Sequence, residues 1–516
     1  MMVLTRRRVM ARRINLIDCS LRDGHQSLLA TRMSTEQALR VLPMLRDSGY
    51  RILELWGGAT LDAALRFTRD DPFERLDRFR EVLGDSIEIR SLCRGQNLFG
   101  YTPYADNLVF EFIKEAVRSG NRRIRIFDAL NDSRNLLTAV MSTKTFNGHA
   151  EVALSYTTSP VHDIPHFIRF AEAAVDNGAD SLAIKDMAGL LHPADCFELV
   201  DAIRRRFGNI ELTLHSHCTN GLATTSYVAG MLAGVDHLDT GHGPMAGSTS
   251  QPPVELIRYF ARELGFETNV ESACFRRIDD ELRVIRRELA AFDKDPERFG
   301  DPWPDDPPPD MRQKIREAAK LIESRDRTKL EAAIAIIEDE ILVPQGYPAV
   351  DRSQLDAQVP GGMISNLHSQ LKQVGKLENL PRILEEIPRV RADAGFVPLV
   401  TPTSQIVGSQ AAFNVNANKR YAIISEQFRD LVLGKYGRLP GPANPDVVRL
   451  CAPKGETCTD RPARYAPAVK LEQLVQQSGG RARTHRDLLL AALFPGPAVE
   501  FFSHRDSRAT ALAASA

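Results

Sequence analysis

Four short stretches of this sequence have residue types and spacing suited to chemistry. Leu-Arg-Asp-Gly-His-Gln at 21–26 brings Arg22, Asp23, His25 and Gln26 together just after an apolar run. Arg94 sits in CRGQNLFGY, Lys185-Asp186 ends SLAIKD, and His215-Ser216-His217 ends ELTLHSH. Residues two apart on a strand face the same way, so the two imidazoles converge. Together they make half of a metal site, to which Asp23 can add a carboxylate. The alternative is a pair of hydrogen-bonded histidines. Lys185 lies between Ala183-Ile184 and Met187-Ala188, a setting where a lysine is rarely left unpaired. It reads as a buried ion pair, a Schiff-base lysine, or a lysine made anionic by reaction with CO₂ so that it can bind metal. The last two need a depressed pKa, which burial supplies. Arg94 suits either a substrate carboxylate or a rim salt bridge. Cys19, Cys93 and Cys196 read as packing residues, and Cys218, next after His217, faces away.

These residues need elements that place them side by side. Short β-branched runs begin near residues 14, 51, 87, 124, 151, 181, 211 and 237. Between them lie amphipathic segments such as STEQALRVLPMLRDSG and HPADCFELVDAIRRRFG, the second with Phe197, Leu199, Val200, Ile203 and Phe207 at helical spacing. Eight strand–helix units predict a (β/α)₈ TIM barrel over 14–275, with catalytic groups where the strands end. An open doubly wound sheet is the alternative, but no strand leads into a GxGxxG turn. In the closed barrel, Asp23 and the His pair stand two strands apart. The second half reads as an all-helical domain over 276–505. A proline-rich stretch, DPWPDDPPPD at 301–310, is expected to be an exposed linker between two helices, and VPGGM at 359–363 a tight turn. Residues 1–13 and 506–516 are expected to be tails, the last ten disordered.

Composition sets limits. Lys plus Arg number 66 and Asp plus Glu 67 in 516 residues, so the net charge is −1 and no polyanion is expected as main partner. The seven cysteines form no CxxC pair, which points to a reducing compartment rather than a disulfide framework. The Arg-rich start lacks a signal-peptide core, and no run is apolar enough to span a membrane, so a cytoplasmic location is expected.

Longer motifs carry a family resemblance. RDGHQSLLATRM at 22–33, ELWGGATLDAALRF at 54–67, RGQNLFGYTPYADN at 94–107, FDALND at 127–132 and IKDMAGLL at 184–191 resemble the biotin-dependent carboxyltransferases. So do HSH at 215–217, STSQPP at 248–253, VPGGMISNL at 359–367 and VTPTSQIVGSQAAFNV at 400–415. PRVRADAGFVPLVTPTSQIVG at 388–408 and ALFPGPAVEFFSHR at 492–505 bring the sequence nearest to the transcarboxylase branch, beside the pyruvate carboxylase and oxaloacetate decarboxylase branches.

The resemblance implies a barrel followed by a helical funnel that completes the active site. It implies a divalent metal (zinc, manganese or cobalt) held by Asp23, a carboxylated Lys185, His215 and His217. By the same resemblance Arg94, Gln26 and Arg22 bind the substrate, and Thr401 moves a proton between pyruvate and biotin. Tyr101 and Ser404 match residues near the biotin ring, and Asp62 a supporting acid. The reaction implied is carboxyl transfer between carboxybiotin and pyruvate or oxaloacetate. The sequence has no biotin-attachment motif of the Ala-Met-Lys-Met type and no ATP-grasp carboxylase. Biotin is therefore expected on a separate carrier protein, alongside a biotin carboxylase or other subunits, with the chain itself a homo-oligomer. Other readings are a decarboxylase subunit feeding a membrane partner, a Claisen-type lyase or synthase, and an assembly scaffold. Residues 290–350 look longer than in the family, and read as a docking hairpin or an inert insertion.

Overall fold

The computed structural model describes residues 12–350, 360, 363, 367, 371 and 375–515. The first eleven residues, and the VPGGM turn apart from Pro360 and Met363, lie outside the described residues. Eight parallel strands close into a barrel: β1 Arg12–Asp18, β2 Ile52–Gly57, β3 Glu88–Cys93, β4 Arg123–Phe127, β5 His149–Ser155, β6 Ser181–Asp186, β7 Glu211–Ser216 and β8 His237–Thr240. Closure is explicit in the register, where β1 pairs β8 through Asn15↔His237 and β2 through Asp18↔Leu53. Each strand lies in one of the expected runs, and the fold is a (β/α)₈ TIM barrel. A ninth strand, β9 Phe266–Thr268, lies beside Arg12–Ile14 of β1, so β1 starts at Arg12, before the expected boundary at 14.

Outward-facing side chains seat the helices. Trp56 turns out of the barrel at a register shift in β2 and packs on Phe73, Phe99 and Phe112, with ring centroids 5.1–6.3 Å away. The helix Thr35–Arg46 starts at a capping box between Ser34 and Gln37, which satisfies its free N–H groups.

The inward face is not apolar. Glu54, Arg90, Arg125, Glu151, Thr213 and Asp239 come from six strands and are all fully buried. Arg90 pairs with Glu54 at 2.9 Å and Asp239 at 2.7 Å, and Arg125 pairs with Glu151 and Asp239. Buried charges cost several kcal/mol each unless paired and hydrogen-bonded, and this layer pairs them. Above it, toward the strand ends, Leu92, Phe127, Ala153 and Ala183 form a small apolar layer that Val400 of the helical half caps.

The hydrophobic clusters cross the boundary expected at 275/276. The helices Phe275–Glu288, Pro309–Glu323 and Arg327–Ala335 share the barrel's cluster, as do His485–Leu493 and Pro495–Ser515 near the C-terminus. A separate cluster joins residues between Met363 and Ala452 with Leu130 of the barrel. The proline-rich stretch is not simply exposed. Trp303 is buried, donates from Nε1 to the Tyr347 hydroxyl at 3.2 Å and packs edge-on against Tyr259. The expected disordered tail is also corrected, because the backbone of 506–515 continues the last helix. Its alanines favour helix once the preceding turns are docked. Among the described residues no helix is long and apolar enough to cross a membrane.

Candidate functional site

The strand ends bring Asp23, His215 and His217 into one buried group. Asp23 Oδ2 lies 3.3 Å from His215 Nε2 and 3.4 Å from His217 Nε2, and the two Nε2 atoms are 3.2 Å apart. Ligands at about 2.0–2.1 Å from a tetrahedral metal stand roughly 3.3 Å from one another. The outer ring nitrogens explain why these three face inward. His215 Nδ1 is 2.8 Å from Asp239 Oδ2, and His217 Nδ1 is 2.7 Å from the Thr249 carbonyl. Both partners are acceptors, so both Nδ1 atoms carry the proton and both Nε2 atoms present lone pairs. Two lone pairs and a carboxylate pointing at one spot suit a cation, and the donor set fits a divalent metal. The simpler picture of two histidines bonded to each other lacks a proton to bond them.

Gln251 completes this side, with Nε2 3.1 Å from Asp23 Oδ2 and 3.3 Å from His217 Nε2. Burial favours a neutral Asp23, but the Arg22 guanidinium, 3.2 Å away, opposes it and holds the carboxyl well below the usual carboxylate range. Burial, reinforced by Lys185, lowers the His215 pKa. Lys185 stands on β6 in register with His215. Among the described residues it forms no ion pair, and its Nζ lies over the Phe127 ring at 5.5 Å. Burial pushes its amine down to about 8. The buried ion pair that the sequence allowed is thus absent among the described residues.

Two glycines make the approach possible. A Cβ on Gly189 (φ +66°) would fall 2.4 Å from the His217 carbonyl, and one on Gly58 (φ +58°) would fall 2.6 Å from Gln26 Oε1. Gln26 Oε1 accepts from Ala59 N at 2.9 Å. Arg22 is tied to Glu54 through Nε at 2.7 Å, while its Nη1 is buried with no hydrogen-bond partner. That unused donor beside Gln26 suits an anionic ligand.

Arg94 is buried at the end of β3; its Nη1 donates to Phe99 O at 2.6 Å and Gly100 O at 3.1 Å, and its guanidinium lies 5.3 Å from the Tyr101 ring centroid. The Tyr101 hydroxyl donates to Asp62 Oδ2 at 3.3 Å, and Arg66 holds the other Asp62 oxygen at 2.6 Å. Arg94 and Thr401 line one cleft with Asn97, Asp128, Leu130 and Tyr436. Thr401 arrives there because Val400 plugs the apolar layer of the barrel, and Thr403 Oγ1 bonds back to Val400 O at 2.7 Å. Arg391 fixes the same segment, donating to Val397 O at 2.9 Å and to Thr157 Oγ1 of the barrel at 2.9 Å. Ser404 follows at the start of the helix Thr403–Asn416 and is buried, without lining that cleft. His25 is buried outside the metal group, with burial holding its pKa well down.

Sequence reasoning missed Gln251, Asp239, Asp128 and Tyr436. Gln251 lay inside the quoted STSQPP motif. Asp239 follows His237 by two on β8, so alternation puts both inside.

Comparison with known proteins identifies the family. A family model described as HMGL-like matches residues 108–281, and one described as a conserved carboxylase domain matches 355–515. The chain is 37% identical to a pyruvate carboxylase subunit of Methanocaldococcus jannaschii over 95% of its length and 77% of that protein. It is 34% identical to the methylmalonyl-CoA carboxyltransferase 5S subunit of Propionibacterium freudenreichii subsp. shermanii, over 96% of this chain and 88% of that one. Among solved structures, the carboxyl transferase domain of Rhizobium etli pyruvate carboxylase with pyruvate and biocytin superposes with a TM-score of 0.79 at 25% identity, covering 96% of this chain and 78% of that one. The conserved carboxylase match spans the segment that delivers Thr401, which a lyase or synthase on the barrel alone would not need. The chain belongs to the biotin-dependent carboxyltransferases, and is an enzyme of that family.

Proposed function

We propose that this enzyme moves a carboxyl group between carboxybiotin, carried by a separate protein, and pyruvate or oxaloacetate. The observation that carries the reading is the meeting of two halves: Asp23, His215 and His217 on the strand ends, and Arg94 sharing a cleft with Thr401 from the helical half. Asp23, His215, His217 and a carboxylated Lys185 would hold the divalent metal. When bound, that metal supplies Lewis-acid polarisation of the substrate's keto oxygen. Arg94, with Arg22 Nη1 and Gln26 beside it, binds and orients the substrate carboxylate. The Thr401 hydroxyl takes the proton that leaves the pyruvate methyl group and hands its own to the biotin ring nitrogen as CO₂ departs. The enolate carbon then bonds to CO₂ and gives oxaloacetate; the reverse path loads biotin. Tyr101, Asp62 and Ser404 border the biotin ring. Val400 and the apolar layer beneath it keep water from CO₂ and enolate. A neutral Lys185 amine is the form that reacts with CO₂, and a pKa near 8 keeps an appreciable neutral fraction at physiological pH.

A biotin carboxyl carrier protein is the partner this reading requires, with a biotin carboxylase or other subunits behind it and a homo-oligomer as the assembly. Seven unpaired cysteines support work in the cytoplasm. The test is transfer of label from carboxyl-labelled oxaloacetate to a purified biotinylated carrier. Label on the carrier, dependent on this enzyme and on divalent metal, is the expected result; turnover of an acyl-CoA with no biotin dependence would refute the reading.

A further inference from the structure

A second buried cluster lies outside the catalytic mouth. His242, just after β8, Glu255 of the helix Val254–Glu263 and Asp279 of the helix Phe275–Glu288 converge with exposures of 0%, 3% and 3%. His242 Nδ1 lies 3.2 Å from Asp279 Oδ1 and 3.8 Å from Glu255 Oε1. The two carboxyl groups are within hydrogen-bonding reach of each other. Glu255 Oε1 accepts from Gly243 N at 3.3 Å, but Oε2 is buried with no partner. Two carboxylates cannot face each other in a dry interior without a proton or a cation between them.

The catalytic neighbourhood offers a control. Cys19, His215 and Asp239 also bring three donor atoms together. There, Asp239 Oδ1 also lacks a hydrogen-bond partner, but Arg90 and Arg125 pair directly with Oδ2 and His215 Nδ1 spends its proton on it, so the carboxylate's charge is balanced without an ion. No such arginine serves the second cluster. Arg258, Arg276 and Arg283 act on it only through space, and among the described residues none of them forms an ion pair with it. Of the other acids nearby, Asp18 is bonded to Ser20, and Asp280 is paired with Arg276 at 3.3 Å. On the far side of the imidazole, the Tyr50 hydroxyl lies 3.2 Å from His242 Nε2. That oxygen can accept the Nε2 proton and leave the Nδ1 lone pair facing the carboxylates, the arrangement typical of a metal-ligating histidine.

We propose that His242, Glu255 and Asp279 form a second, closed divalent-cation site. Its one nitrogen and two carboxylate donors suit zinc or manganese. The three ligands come from the end of β8 and from two successive helices, so the ion would pin both helices to the loop that carries Thr249 and Gln251 toward the catalytic metal.

The test separates the two sites. The full-length chain is stripped with a chelator, titrated with Zn²⁺ or Mn²⁺, and its bound metal counted beside its Tm. The wild type should retain about two ions per chain, and His217→Ala, which damages the catalytic site, about one. The ion-dependent rise in Tm should persist in His217→Ala and vanish when Glu255→Gln is added. Asp279→Asn serves as a second substitution should Glu255→Gln fold poorly. A His217→Ala chain that binds neither metal and shows no rise in Tm would overturn the site and leave a shared proton between the carboxyls. An ion that survives both Glu255→Gln and Asp279→Asn in that background would also overturn it. Either result leaves carboxyl transfer untouched.

Discussion

The two sides of the catalytic mouth are built in different ways. The metal side stands on strands. Lys185 and His215 extend adjacent strands, and Asp239, which fixes His215, belongs to a fully buried layer of paired charges. The side proposed to relay the proton stands on a loop. Thr401 is held because Val400 fills an apolar gap and because Arg391 and Thr403 tie down neighbouring carbonyls. The contrast teaches that the geometry of the proposed ligands is set by the closed sheet, whereas the proposed proton relay depends on how the helical half docks.

If the metal side rests on the charge layer, the largest effect on stability comes from breaking that layer. Arg125→Met leaves Glu151 and Asp239 short of a buried partner, and should cost about 3–5 kcal/mol in denaturant unfolding. A loss below about 1 kcal/mol would mean that the layer is not the foundation claimed. A smaller and more local effect is expected at Gln251, which touches Asp23 and His217 without being one of the ligands proposed. Gln251→Ala should weaken metal binding by roughly 10–100-fold while Tm of the metal-free chain stays near wild type. Unchanged affinity in a metal titration would remove Gln251 from the site.

The gentlest probe falls on the relay side. Burial, reinforced by Asp132, pushes Asp128 up to about 7 from the ordinary 3.8. A carboxyl with a raised folded-state pKa favours the fold fully below its unfolded pKa, and this contribution is lost as pH rises toward 7. Protection factors for hydrogen exchange of residues 398–403, taken relative to the intrinsic rate at each pH, should therefore be higher at pH 5 than at pH 8. That difference should shrink in Asp128→Asn; an equal difference in the variant would assign it to other groups.

Much of the metal side is legible in the amino-acid sequence. The eight strands announce themselves by β-branched runs, and the spacing of His215 and His217 fixes their common face. The charge layer is not legible there, because Glu54, Arg90, Arg125 and Glu151 taken one strand at a time look like solvated positions. Only closure of the barrel turns them toward each other. Thr401 stands out through family motifs rather than periodicity, since its place depends on packing between distant segments. Trp303 hides in a run of prolines for the same reason: its partners, Tyr259 and Tyr347, are about 44 residues away on either side.

Oxaloacetate decarboxylation driven by free biotin tests the central claim that the two sides act as one site. Metal-loaded wild-type enzyme should release pyruvate only when biotin is added. Thr401→Ala should lower that rate about 10²–10⁴-fold or more with metal content and Tm unchanged. Full biotin-dependent turnover by Thr401→Ala, or wild-type turnover indifferent to biotin, would contradict the account.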